Sequence, residues 1–499
     1  MQTLLTSAQM SVADAYTIEH QPITAIDLIE RAATAFVEIF TAEFQDFNLP
    51  LAILCGPGNN GADGLAIARL LRNRHSRYKQ ISVYLIDFSA KHNNNYSKNL
   101  GRLPKLIKCF TITEPAQLKS LKADLIIDAI LGSGLNRPLV GKYAELASQI
   151  NKLDKKVIAV DVPTGFLSEG IIKDYNGVKA DLVICFERPK INFFFPESTL
   201  ALRRFKVIAI GLNKDFMESQ SGGWKLTQLE DIQQLLKPRV NFSHKGTYGH
   251  ALLVAGNNST MGAALLASSA CLHAGAGLIT ACIPQSGLMA LNVVLPEAMV
   301  LPKNQYLELT TLEKFTVVAI GPGLGIDAEN EALLAAIIGL RRPLIIDADA
   351  LTILNKRADL LDQLPAQSIL TPHVKEFDRL FGVHQSWWER VETARKQARQ
   401  RNLIIILKNQ YTFVCLPSGD VHINPTGNPA MASGGMGDVL TGIIAALRAQ
   451  SYEPATAAIL AVYLHGKAGD ELAEKRFTVS ASQVAQQIPK TIKKLLKIE

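Results

Sequence analysis

The chain is poor in cysteine, in charge and in long apolar runs, and each shortage removes a class of protein. Only six of its 499 residues are cysteine, namely Cys55, Cys109, Cys185, Cys271, Cys282 and Cys415. No two are spaced Cys-x-x-Cys, which argues against a zinc site, a dithiol redox centre and a disulfide scaffold. Reduced core thiols are expected. Charged residues make up 19% and the net charge is +7, with only the tail from Lys490 to Lys497 locally basic. That balance is too diffuse to indicate nucleic acid. The first twenty residues lack the basic start and apolar block of a signal peptide, and Asp14 interrupts them, so a cytoplasmic protein is expected. Residues 246–296 contain no Lys, Arg, Asp or Glu, yet Asn257, Asn258, Ser268, Ser269, His273 and Pro284 break them up. No apolar run reaches the roughly 20 residues a bilayer requires, so the segment is expected to be buried and no membrane partner is expected.

What is present is an ordinary globular composition, 48% hydrophobic, long enough for about two to four domains. Thr6 or Ser7 caps a first helix, and residues 22–44 carry Ile26, Ile29, Ala33 and Phe36 at helical spacing. The period then changes. LAILCG (51–56), ISVYLID (81–87), ADLIIDAI (123–130), KKVIAVDVP (155–163) and ADLVICF (180–186) are short apolar runs alternating with helical segments. A second series follows: HALLVAG (250–256), FTVVAIG (315–321), PLIIDAD (343–349), SILTPH (368–373) and NLIIILKN (402–409). Strands alternating with helices predict two α/β domains, each a mostly parallel sheet covered on both faces. The polar stretch with Gly222 and Gly223 places the boundary near 220, giving domains 1–220 and 221–499.

The strongest signal of the first half is Gly56-Pro57-Gly58-Asn59-Asn60-Gly61-Ala62-Asp63-Gly64, a glycine loop between a strand and a helix. It contains G-x-G-x-x-G, and Asp87 stands where a ribose-binding acid of a dinucleotide fold belongs. Asp63 argues against that reading, because a carboxylate there repels pyrophosphate. Two amides and an acid suit a hard cation, or polar capture of a sugar or nicotinamide edge; a turn that merely closes a βα unit is the bland alternative. Two further strand ends carry Asp128, before Gly132-Ser133-Gly134-Leu135-Asn136-Arg137-Pro138, and Asp161, before Thr164-Gly165. Each acid alone could be a helix cap. Together they predict one crevice beyond the carboxyl ends of the strands.

GPGNNGADG, DAILGSGLNRP and DVPTG resemble the epimerase domain of the bifunctional NAD(P)H-hydrate repair enzymes, over about residues 5–215. The resemblance implies interconversion of the R and S forms of hydrated NADH or NADPH, with potassium held by Asn60, Asp128 and Thr164. It implies that Asn59 to Asp63, Gly132 to Pro138 and Asp161 line the hydrate site, with Asp161 as acid/base. The family's usual second glycine is Ala62 here and its usual serine is Thr164; neither change removes an oxygen ligand.

In the second half, GGMGDVLTG (434–442) opens a helix. Gly434, Gly435 and Gly437 let backbone N–H groups approach an anion, and the helix dipole adds attraction, so a phosphate belongs there. Asp438, in the first turn, is expected to be favoured as an ionised carboxylate, ready to take a proton from a substrate hydroxyl. An acid that only stabilises its helix is the alternative. GPGLG (321–325), DADAL (347–351), TPHVKEF (371–377) and Lys408-Asn409-Gln410-Tyr411-Thr412 end other strands. His373 is either a satisfied hydrogen-bonding residue or a crevice residue, and Lys408 is either solvated or set to neutralise a nucleotide phosphate.

The G-G-x-G-D string resembles the ribokinase-like fold. With MGAALLAS and GAGLIT, the motifs resemble, more narrowly, the nucleotide-dependent dehydratase of the same repair family, over about residues 225–495. This implies that ADP, with Mg²⁺, phosphorylates the hydroxyl of the S hydrate, that phosphate then leaves, and that NAD(P)H is restored. It places Ala263, Gly323 or Gly325, His373 and Asp438 on the hydrate, with Lys408 to Thr412 and Gly437 on the nucleotide. Asn409 stands where the family usually has glycine. Members form homo-oligomers, so one is expected. A vitamin-type kinase that releases a phosphorylated product shares the glycine loop and the base, but the fused first domain argues against it; a nucleotide-sensing binding module is the non-enzymatic alternative.

Overall fold

Alternating apolar strands and amphipathic helices can bury both faces of a sheet only in three layers. A computed structural model describes residues 1–74, 78–88, 91–303 and 312–497, in two compact units. The first takes Thr3–Gly222 and Ser386–Trp388; the second takes Met1–Gln2 and the rest of the chain from Gly223.

Seven strands make the sheet of the first unit, in the order Lys108–Ile112, Ile81–Ile86, Leu51–Cys55, Leu125–Ala129, Lys156–Val160, Leu182–Phe186 and Phe205–Ile208. All pairs are parallel. The strand order reverses between Leu51–Cys55 and Leu125–Ala129, the topological switch point at which open α/β sheets bind ligands. Helix Ala25–Glu43 starts at a capping box made by Thr24 and Asp27 and buries Ile26, Ile29, Ala33, Phe36 and Phe40. With helices Ser7–His20 and Asn59–Arg74 it covers one face, while Gly141–Lys152 packs on the other. Strand Lys108–Ile112 escapes a reading by apolar runs because it is an edge strand with four of its five residues exposed.

The glycine string needs a correction. Helix Asn59–Arg74 begins at Asn59, and the Ala62 N–H already donates to Gly58 O at 3.1 Å. Only Gly56-Pro57-Gly58 is loop, so Asn59 to Asp63 form the opening turns of the helix.

The second unit is built on an eleven-stranded sheet. Strands Met299–Pro302, Leu278–Ile283, His250–Val254, Val317–Ile320, Leu344–Ile346, Ile369–Leu370 and Ile404–Leu407 run parallel. The sheet then turns antiparallel through Thr412–Cys415 and Val421–Asn424, with Trp224–Leu226 beside the latter. Helices Met261–His273, Met436–Ala449, Pro454–Ala473 and Ala481–Leu495 cover one face, and Ala328–Ile338 with Ala348–Lys356 cover the other. The charge-free segment supplies Met261–His273 and the buried strand Leu278–Ile283, whose small residues Ala264, Ala267, Ala270 and Cys271 are fully buried. Among the described residues no helix is long and apolar enough to cross a membrane, and all six cysteines are free thiols.

Candidate active sites

In the first unit the strand ends open onto a cavity of about 510 Å³. Its lining brings together Asn59, Asn60 and Asp63 from the first turns of helix Asn59–Arg74, Gly132 to Leu135 from the loop after Leu125–Ala129, and Asp161 from the end of Lys156–Val160. Other expected residues are elsewhere. Gly61 has a structural duty, since a Cβ there would lie 1.7 Å from Gly56 O, and Ala62 is fully buried in the core. Asn136, Arg137 and Pro138 do not line the cavity. The family's glycine at position 62 is therefore replaced by a methyl facing the core, not the ligand.

Asp161 has φ +65°, a left-handed backbone that short polar side chains tolerate best. Its Oδ1 accepts from Lys190 Nζ at 2.8 Å and from the Phe186 N–H at 3.1 Å. Lys190 is 4% exposed; burial works against its charge, but Asp161 and Cys185 outweigh burial and raise its pKa. Among the described residues no cation pairs with Asp63: burial, then the charges of Asp161 and Asp14, push its pKa well above the usual carboxylate range. Lys190 was not legible as a site residue, although it follows a strand end in the string ERPK.

Below this cavity, Asp128 is fully buried. Its carboxylate accepts from the Thr164 N–H at 2.8 Å, from Thr164 Oγ1 at 2.7 Å and from the Ile130 N–H at 3.2 Å. Burial still pushes its pKa up to about 6 against those hydrogen bonds, and among the described residues no Lys or Arg pairs with it. Asn60 Nδ2 is buried without a partner, and the amide lies against Gly132.

In the second unit, Gly435 takes φ +88° at the N-cap of helix Met436–Ala449, a conformation that favours glycine. Asp438 sits in the first turn. The expectation of an easily ionised carboxylate is overturned: burial, then the neighbouring charge of Asp347, raise its pKa to about 7 against the opposing pull of Lys408. Desolvation and a like charge outweigh the favourable helix end.

Asp347 is the main residue sequence reasoning left out, though it opens the DADAL string. It is 1% exposed, and it accepts from Lys408 Nζ at 3.0 Å and Thr441 Oγ1 at 2.8 Å. Burial pushes its pKa up, but Lys408 and the hydroxyls of Thr371 and Thr441 outweigh this and hold it below the usual range. Lys408 is therefore already paired, not merely solvated. Gly437 lies beside both groups, because a Cβ there would be 3.2 Å from Lys408 Nζ and 3.6 Å from Asp347 Oδ2.

Next to them lies a cavity of about 450 Å³, lined by Lys408, Asn409, Gln410, Thr412 and Gly437, and also by Asn424, Thr426, Asn428, Met431 and His465. Tyr411, expected here, does not line it. Residues 408–411 form the tight connection between two antiparallel strands, Ile404–Leu407 and Thr412–Cys415. His465 is a second omission: its Nε2 is buried with no partner, and burial, then Lys408, lower its pKa to about 4. No local pattern marks it, since it lies within the buried helix Pro454–Ala473.

Of the residues expected on the hydrate, Ala263 and Gly323 lie against each other. The Gly325 N–H donates to Asp349 Oδ2 at 2.8 Å, and the charge of Asp349 also raises the pKa of Asp438. His373 is a helix cap: its Nδ1 accepts the N–H groups of Lys375 and Glu376 at 3.1 and 3.3 Å, and its Nε2 is 3.4 Å from Glu376 Oε1. Among the described residues no group of three or more His, Cys, Asp or Glu could hold a metal ion.

Comparison with known proteins matches two separate stretches of the chain. A family model described as NAD(P)H-hydrate dehydratase matches residues 251–491, and one described as YjeF-related protein N-terminus matches residues 25–192. A bifunctional NAD(P)H-hydrate repair enzyme of Moorella thermoacetica is 34% identical over 95% of this chain and 93% of its own. Among solved structures, a ribokinase-like superfamily protein of Enterococcus faecalis is 30% identical, covers 55% of this chain and 98% of its own, and has a TM-score of 0.51. An ADP/ATP-dependent NAD(P)H-hydrate dehydratase of Bacillus subtilis, co-crystallized with ATP/Mg²⁺, is 32% identical over 54% of this chain and 98% of its own, with a TM-score of 0.48.

Proposed function

The chain belongs to the family of bifunctional NAD(P)H-hydrate repair enzymes, and from that premise we infer how its two units divide the work. It epimerises the R and S forms of hydrated NADH and NADPH, and it dehydrates the S form at the expense of ADP, giving AMP and phosphate. The first unit carries the epimerase and the second the dehydratase. The observation that carries this reading is Asp438, a half-buried carboxyl with a pKa near neutrality at a glycine-rich helix start, beside a cavity of nucleotide size.

Hydroxide is a poor leaving group and phosphate a good one. Asp438 takes the proton of the hydrate hydroxyl as its oxygen attacks the terminal phosphoryl of ADP. Departure of phosphate with loss of the adjacent ring proton then restores the dihydronicotinamide. The open N–H groups from Gly435 to Gly437 and the Lys408 ammonium face the charge that moves through this step, so positioning and electrostatics supply most of the rate. Mg²⁺ bound to the nucleotide's phosphates would neutralise part of their charge beside Lys408. Asn409, Gln410 and Thr412 hold the nucleotide together with Asn424, Asn428 and His465.

In the first unit, Asn59, Asn60, Asp63 and Gly132 to Leu135 bind the hydrate, and Asp161 moves the proton. Potassium fits beneath them: among the described residues no Lys or Arg pairs with the buried Asp128 carboxylate, and the Asn60 amide and the Thr164 hydroxyl add hard oxygens. The ion would neutralise Asp128 and fix the Asn60 amide. The free thiols support a reducing, cytoplasmic setting.

The test is to supply the purified chain with R hydrate alone or S hydrate alone, each with ADP, and to follow NADH absorbance. Both should recover it. A phosphorylated product without NADH would mark a kinase instead. Because a carboxyl raised from 3.8 to about 7 is protonated below that pH, dehydration kcat/KM should fall about tenfold per unit below pH 7 and level off above it. Lys408→Met should lower stability by about 3 kcal/mol, read by chemical denaturation, because it strands the buried Asp347.

A further inference from the structure

The N-terminal helix Ser7–His20 contributes more to the epimerase cavity than packing. Met10, Ser11, Asp14 and Ile18 lie on one of its faces, at the spacing of successive turns, and all four line the cavity that holds Asp161, Lys190 and Asn59. A carboxyl among Met10 and Ile18 has no packing reason to be there. We propose that Asp14 is the second proton-carrying residue of the epimerisation site, acting with Asp161 from a different wall of the cavity. This rests on the reading of Asp161 as the acid/base residue.

The chemistry asks for two such groups. To invert the hydrated carbon, the carboxyl of one residue gives its proton to the hydroxyl. The C–O bond breaks, its electron pair leaves with the oxygen as water, and the ring-nitrogen lone pair closes to a C=N⁺ bond. Water then adds to the opposite face, the C=N⁺ pair returns to nitrogen, and the second carboxylate takes the surplus proton. The two residues have exchanged one proton, which returns through solvent, and neither oxidant nor cofactor is consumed. The reverse reaction uses the same pair in swapped roles.

Four titratable groups face Asp14: Lys190, Asp161, Glu187 and Asp63, whose own pKa the charge of Asp14 raises. Burial, the largest influence, raises its pKa to about 6 against Lys190, with Asp161 and Glu187 adding to the rise. Asp63 also lines the cavity, from the opening turn of helix Asn59–Arg74; burial, then Asp161 and Asp14, raise its pKa well above the usual carboxylate range, which suits a fixed hydrogen-bond donor better than a shuttle. Asp161 is tied through Oδ1 to Lys190, so a carboxylate with its own cation stands near a carboxyl among apolar side chains. Unlike environments of that kind separate the roles of two acids. Asp14 also lies outside the stretch matched by the family model, residues 25–192.

The experiment uses the full-length chain with R hydrate, ADP and the second unit's own dehydration as the readout of epimerisation; S hydrate reports folding and the dehydratase separately. Asp14→Asn should lower epimerisation kcat about 100-fold or more with KM little changed. Both directions need the pair to share one proton, so wild-type kcat/KM should be bell-shaped in pH, with a limb near 6 that Asp14→Asn removes and Asp14→Glu displaces. Epimerisation by Asp14→Asn within twofold of wild type, or an unchanged bell, overturns the proposal. If Asp14→Asn does not fold, Asp14→Glu decides: a displaced limb supports the assignment and a profile identical to wild type overturns it. A wild type that cannot use R hydrate at all would instead overturn the epimerase reading, and an active Asp161→Asn would overturn the role of Asp161, so the failures are distinguishable.

Discussion

Asp438→Asn is expected to lower dehydration of the S hydrate by about 100-fold to 10,000-fold, the usual worth of a positioned general base, while epimerisation in the same preparation continues. Asn has nearly the same shape, so the substitution removes the proton acceptor and little else. It also removes a charge that stands among Asp347 and Asp349, so folding should be unharmed or slightly favoured, and a denaturation midpoint at or above wild type would show that the lost rate is chemical. KM for ADP should change little, because the residues proposed to hold the nucleotide, Lys408, Gln410 and those around Asn424, line a cavity that Asp438 does not. Single-turnover measurement of NADH recovered from S hydrate is the check. Turnover within threefold of wild type would remove Asp438 from the mechanism.

Asp161→Asn is expected to do the reverse, cutting epimerisation by a similar factor and leaving dehydration of S hydrate at its normal rate. The left-handed backbone at φ +65° is one that asparagine adopts at little cost, so the main chain need not shift. The cost falls on Lys190, which stays buried at 4% exposure without its counter-ion. Some loss of stability is therefore expected, and the rate on S hydrate reports whether the fold survives. With R hydrate as the only substrate, the variant should yield almost no NADH; adding an active epimerase domain should restore the yield. Recovery of NADH from R hydrate at the normal rate would sink the assignment.

Several features were readable because they are contiguous. Apolar runs such as LAILC and IIIL mark strands buried on both faces, and GPG and GGMG mark turns from which a helix starts. Some strands were not readable. Lys108–Ile112 exposes four of five residues at a sheet edge, and Thr412–Cys415 with Val421–Asn424 reverses a sheet that local pattern extends as parallel. In the sites, Asn59, Asn60, Asp63, Asp128, Asp161, Gly437 and Asp438 stood out beside glycines. Asp14, Lys190, Asp347 and His465 did not, since each reaches its site from a segment whose own sequence signals only a helix, a strand end or a core.

By itself the sequence determined the two α/β halves, the glycine turns and the acids placed after strands, because these follow from local backbone geometry and periodic burial. Only the tertiary structure decided which acids meet and how tightly each holds its proton. Asp438 shows why: a helix start alone favours its anion, but the surrounding core removes water and Asp347, 91 residues earlier in the chain, adds a like charge, and together they raise its pKa to about 7. Desolvation and Coulomb energy depend on distance in space, and no separation along the chain encodes that distance.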